Sequence, residues 1–95
     1  MTVLNVAFAE IKDAQKMREY AEAAAPIMKQ HKAEVLLRGE YVKTRLGDQK
    51  VAHVTGVFRF PDMETADHFY TCPEYLELIP LREQAGSMVF NFYEE

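Results

Sequence analysis

The sequence holds a single cysteine, Cys72, and no tryptophan. One cysteine excludes an internal disulfide, and no Cys/His pair stands at zinc-ligand spacing. His31, His53 and His68 match no metal motif either, so neither metal nor cofactor is expected. Glycine and proline are scarce, at four each, and they mark turns, not linkers or low-complexity stretches. A Gly-rich phosphate loop, a Gly-x-Ser-x-Gly elbow and a readable nucleophilic triad are all missing. No apolar run approaches the roughly 20 residues of a membrane span. Positive charge is also short: 11 Lys and Arg, scattered, face 15 Asp and Glu, giving a net charge of −4. Nucleic-acid binding needs a clustered basic surface and is set aside. Met1 to Glu10 lacks the basic start and long apolar stretch of a signal peptide. These absences lead to the expectation of a reduced, cytoplasmic protein with neither membrane nor nucleic acid as partner.

What is present is a globular composition, 48% hydrophobic and 12% aromatic, over 95 residues, enough for one domain spanning 1–95. Val3 to Ile11, VLNVAFAEI, is β-branched and aromatic, interrupted only by Asn5 and Glu10, and predicts a strand buried on both faces. Asp13 caps a predicted helix from Ala14 to about His31. Met17, Tyr20, Ala21, Ala24 and Met28 recur on its inward face. Pro26 lies within it and predicts a kink. Ala33 to Leu46 and Lys50 to Phe60 read as two long strands joined at Gly47-Asp48-Gln49, a hairpin signal. Asp62 caps a short helix, Met63 to Tyr70, and Pro73 opens another that kinks at Pro80 and stops at Gly86. Met88 to Tyr93 is the last strand. The order βαββαβ predicts an α+β, ferredoxin-like fold with an antiparallel sheet and helices on one sheet face.

A sheet covered on one face should be polar on the other, and this one is not. The first strand offers Leu4, Val6 and Phe8 on one face and Val3, Ala7, Ala9 and Ile11 on the other. The last sets Met88, Phe90 and Phe92 against Val89, Asn91 and Tyr93. A monomer would expose an apolar sheet face, which marks an interface. The expectation is a homodimer through that face.

The run Phe60-Pro61-Asp62, Thr65-Ala66, Phe69-Tyr70, Cys72-Pro73-Glu74-Tyr75, Leu78, Pro80-Leu81-Arg82 and Ala85 resembles the domain of unknown function 1330 family. Tyr20-Ala21, Ala24, Pro26 and Leu37-Arg38-Gly39 fit it as well. Here Cys72 stands where the family usually has Ser, and Arg59 where it has an acid. The resemblance implies the dimeric α/β-barrel fold, in which two ferredoxin-like sheets pair into one barrel. Relatives on that fold include cofactor-free monooxygenases, lactone isomerases, haem peroxidases and small stress proteins, so fold alone leaves the chemistry open.

Arg82 follows the apolar Ile79-Pro80-Leu81, and Arg38 lies in an apolar strand. A guanidinium beside a core needs a partner, and its planar fork suits a carboxylate. That partner is either an internal acid such as Glu74 or an anionic ligand. Tyr20, Tyr70 and Tyr75 bring phenols to the same space, as ligand-binding groups or as core aromatics with a hydroxyl at the edge. His53, on the strand face of Val51, Thr55 and Val57, suits a general base, and Tyr20 joins it as the second candidate catalytic residue. A lone strand histidine serves equally as a structural group. Cys72 reads as a weak helix cap more than a nucleophile. Three functions stay open: a dimer binding a small anionic or aromatic compound, in one form an isomerase-like proton-transfer enzyme without cofactor; a cofactor-free monooxygenase; and a non-catalytic, stress-associated dimer.

Overall fold

A computed structural model describes all residues from Met1 to Glu95. Strand β1 (Val3–Ile11) is followed by helix α1 (Ala14–Gln30) and strands β2 (Glu34–Glu40) and β3 (Val54–Phe60). Helices α2 (Met63–Thr71), α3 (Pro73–Leu76) and α4 (Ile79–Ala85) then lead into strand β4 (Gly86–Glu94). The sheet has the order β2-β3-β1-β4 and is antiparallel throughout, as the ferredoxin-like reading requires. No helix is long and apolar enough to cross a membrane.

The register assigns the faces. Val3 pairs with Phe60 and Ala9 with Val54, so Val3, Asn5, Ala7 and Ala9 share the helix-covered face with Phe58 and Phe60. Val3, Ile27, Phe60, Ala66, Phe69 and Tyr75 form the core beneath the helices. Burying rings such as Phe60 and Phe69 stabilises by about 2–3 kcal/mol each. Phe90 pairs with Ala7 and so faces the helices, whereas Asn91 pairs with Val6 and faces outward with Val89 and Tyr93. Caps stand where expected, with Asp13 accepting from the Lys16 amide and Asp62 from the Thr65 amide.

Three local expectations need correction. β2 and β3 are shorter than the two long strands expected over Ala33–Leu46 and Lys50–Phe60, because residues 41 to 53 leave the sheet as an arm. The last rung is the Tyr41 amide donating to the His53 carbonyl. Beyond it, the Tyr41 hydroxyl bonds Thr44 and accepts from the Lys50 amide, and Gln49 donates to the Thr44 carbonyl. Side chains therefore take up backbone groups that a longer ladder would have paired. Helix α1 runs unbroken through Pro26, which is solvent-exposed, as is Glu22, so the carbonyl that proline frees meets water. The last helical region is two helices, with Pro80 in the first turn of α4, where no backbone N–H is needed.

Candidate functional site

Between α1 and the inner sheet face lies a cavity of about 440 Å³, within the size range of small-molecule sites. The helical period brings Met17, Tyr20, Ala21, Ala24 and Met28 of α1 to one wall. Small residues on both layers, Ala7 and Ala9 opposite Ala21 and Ala24, leave the space open. Phe58, Phe90 and Met88 of the sheet and Phe69 of α2 extend the apolar lining, and Arg38 and Glu40 of β2 stand exposed at the rim.

The polar end is assembled from all four helices and β1. The Tyr20 hydroxyl (α1) lies 2.8 Å from that of Tyr75 (α3), and Arg82 Nη1 (α4) donates to Tyr75 Oη at 2.9 Å. The Arg82 guanidinium also lies over the Tyr75 and Phe90 rings, 5.8 Å from each centroid. Tyr70 (α2) packs edge-on against Tyr75, and its hydroxyl accepts from Asn5 Nδ2 of β1. Tyr20 and Tyr70 line the cavity, with Tyr75 and Arg82 behind them.

The sequence candidates thus separate into groups. Tyr20, Tyr70, Tyr75 and Arg82 come together, and Arg38 reaches the same cavity from its open side. Glu74 lies exposed in the first turn of α3 and does not pair with Arg82, contrary to the internal-acid alternative: the guanidinium takes a phenol oxygen instead. Nor do His53 and Tyr20 share a site within one protomer. The ring of His53 stacks on Tyr41 and meets Phe8 edge-on, on the outer sheet face, and its Nδ1–H donates to the Val51 carbonyl. It borders a separate depression of about 350 Å³ with Phe8, Lys50, Val89 and Asn91. Cys72 makes no cap; its thiol donates to the Phe69 carbonyl.

Sequence reading passed over Asn5, treating it only as an interruption of an apolar strand. It is 0% exposed, and its Oδ1 has no partner. A lone amide in an otherwise apolar strand was the available signal, since a buried polar group must find a partner. No cluster of three His, Cys, Asp or Glu side chains is arranged to hold a metal.

Because Arg82 strands no carboxylate, Arg82→Met should cost only about 1 kcal/mol, the worth of one hydrogen bond, while its chain still covers the Tyr75 ring. Urea unfolding of the two proteins measures this. A loss of 3 kcal/mol or more would show an acid partner after all.

Burial, then the neighbouring Tyr75, holds the Tyr20 phenol above the usual tyrosine range. The same two causes raise Tyr70, against the opposing hydrogen bond from Asn5. An acid raised in the folded state keeps its proton while the unfolded chain loses it, near pH 10 for tyrosine. The unfolded state then binds fewer protons, so stability falls as pH rises above about 10 and is unaffected below about 9. The limiting slope is about 2.7 kcal/mol per pH unit for the two groups together. Alkaline titration of tyrosinate absorbance should leave at least two of the five tyrosines silent until the chain unfolds. All five ionising near pH 10 in the folded protein would contradict the burial argument.

Residues 2–95 match the family described as Domain of unknown function (DUF1330). The chain belongs to that family. The protein RPA0582 of unknown function from Rhodopseudomonas palustris superposes with a TM-score of 0.86 at 13% identity, covering 99% of this chain and 82% of that one. SnoaB, a cofactor-independent oxygenase from Streptomyces nogalater, superposes at 0.73 with 8% identity, covering 99% and 92%. A dimeric protein of unknown function and ferredoxin-like fold from Bacteroides fragilis reaches 0.64 at 13%, covering 99% and 96%. At these identities the likeness to the three structures shows a shared fold, not a shared reaction. No curated protein matches the sequence.

Proposed function

We propose that this protein is a homodimer that binds a small organic compound, aromatic or anionic, in the cavity between sheet and α1. The observation that carries the reading is the cavity itself: an apolar chamber left by four alanines, with phenol hydroxyls at one end and the Arg38 guanidinium at its rim. Apolar walls with a few convergent polar groups are the usual form of a ligand site. Dimerisation is supported by the outer sheet face, where Phe8, Val89 and Tyr93 stay exposed, and by the dimeric state of one structural relative. Proton transfer without a cofactor is the chemistry this lining fits: Tyr20 and Tyr70 keep their protons, and the Glu40 carboxylate is the one lining group able to take one. In this reading Arg38 receives an anionic substituent. Arg82 and Tyr75 hold Tyr20, and His53 and Glu74 have no part within the protomer. A cofactor-free monooxygenase is the second reading, favoured by the same apolar lining, which would shelter an electron-rich aromatic substrate.

Thermal melting with a panel of small aromatic carboxylates and ketones tests this. A ligand at a hundredfold its Kd should stabilise the wild type by about 2.7 kcal/mol. Ala21→Phe, which fills the cavity, should abolish the effect. Equal stabilisation of both proteins would place the ligand elsewhere, and none by any compound would favour a dimer whose tyrosines merely pack.

A further inference from the structure

The direction of the hydrogen bonds at the inner end of the cavity follows from counting hydrogens. The Arg82 guanidinium only donates, so Tyr75 Oη accepts from it. Tyr75 is 1% exposed, and Tyr20 Oη is its other hydroxyl partner. Its own hydrogen must therefore go to Tyr20 or be orphaned in the core, which native structures avoid. Tyr20 then accepts from Tyr75, and its own hydrogen is left to face the cavity it lines. The guanidinium at the head of this chain polarises each bond in turn, making Tyr20 a stronger donor than a free phenol.

Tyr70 reaches the same state by a separate route. Its oxygen accepts from Asn5 Nδ2, and the structure gives its hydroxyl no other partner. In the structure the amide nitrogen of Asn5 faces the Tyr70 oxygen and Oδ1 is the atom left without a partner, so the bond runs from Asn5 to Tyr70. The Tyr70 hydrogen is thus also free for the cavity. Around these two donors the lining is apolar, and Arg38 and Glu40, its ionisable groups, stand at the far rim.

We infer that Tyr20 and Tyr70 form a two-donor clamp, set by Arg82–Tyr75 on one side and Asn5 on the other, that selects ligands presenting a hydrogen-bond acceptor oxygen at the leading end of an apolar body. The chemical class is a ketone or its enolate. An ammonium-led molecule brings hydrogens against hydrogens, and a plain hydrocarbon leaves both hydroxyls dry. Arg82, Tyr75 and Asn5 are positioning residues; Tyr20 and Tyr70 touch the ligand. The inference rests on the cavity being the ligand site and adds which end of the ligand goes in, and why.

The test uses a matched pair of probes, 2-acetonaphthone and 2-ethylnaphthalene, titrated calorimetrically into the wild-type protein. The ketone should bind about 100-fold tighter, roughly tenfold for each hydrogen bond gained. Tyr20→Phe should cut ketone affinity about tenfold and leave the hydrocarbon unchanged or improved. Tyr75→Phe, which releases Tyr20 from its fixed direction, should weaken the ketone alone by a smaller factor. The wild-type ratio needs no variant to fold. Equal affinities for the two probes would overturn the clamp while leaving the cavity reading intact. If neither probe binds, the inference falls together with that reading.

Discussion

Gly86→Ala should destabilise the fold by about 3 kcal/mol or more, lowering Tm by roughly 12–24 °C for a domain of this size. Gly86 begins β4 directly after α4 and pairs with Ile11 at the end of β1. A Cβ placed there would lie 2.2 Å from the Glu10 carbonyl oxygen, 3.1 Å from its carbon and 3.2 Å from the Ile11 Cα. All three are backbone atoms in a paired strand, so no side chain can swing aside to relieve the clash. Either β1 and β4 separate or the α4–β4 junction shifts. The Ala85 carbonyl at that junction accepts from both the Lys12 and Asp13 amides. The backbone angle is not the reason, since φ is 172°, extended backbone open to any residue. Gly39→Ala is the control: nothing lies within 4 Å of its Cβ position, and the change should fall within about 0.5 kcal/mol. Equal Tm values for wild type and Gly86→Ala would refute the steric argument.

Val89→Glu should convert the dimer to monomers without unfolding the chain. In the protomer Val89 is 56% exposed on the outer face of β4, so a charge there costs the isolated fold little. In a dimer closed through this face, two-fold symmetry places two such charges in the interface, each costing several kcal/mol if unpaired. Together they should weaken association by more than about 1,000-fold. Light scattering at micromolar concentration should give roughly twice the 11.0 kDa chain mass for the wild type and a single chain mass for the variant. Ala25→Glu, on the exposed side of α1, should leave the dimer whole. A variant still dimeric at micromolar concentration would remove the sheet face as the interface, and a monomeric wild type would remove the dimer itself.

Which parts of this protein were legible before folding can be judged element by element. Val3–Ile11 declared itself a strand through its β-branched and aromatic residues, but the expected burial on both faces fails in the protomer, where Phe8 of the outer face is 37% exposed because no layer covers that side. Asp13 and Asp62 announced helix starts because a short acidic side chain satisfies the orphan amides of a first turn. From such local signals came the element order, hence the fold and the apolar outer face, while the family was legible only through the resemblance carried by motifs such as Pro73-Glu74-Tyr75 and Pro80-Leu81-Arg82. Local pattern misled at residues 41–46, which alternate like a strand. They have no layer to pack against: Val42 is exposed, and Leu46 is 94% exposed. Hydrophobic alternation describes a half-buried ribbon only where the burying layer exists.

The candidate site divides the same way. The tyrosines and arginines stood out as residue types, and Tyr20 was placed correctly on the inward stripe of its helix by a period of 3.6 residues. What sequence could not supply was the partner of each group. Asn5 and Tyr70 are 65 positions apart, Tyr20 and Tyr75 are 55 apart, and the choice of a phenol over Glu74 for Arg82 depends on how α3 and α4 lie across the sheet. Helix and strand signals are local, set by neighbours three or four residues away. Hydrogen-bond partners, the face on which His53 emerges and the space left between facing alanines depend on how distant segments pack, and only the tertiary structure decides that.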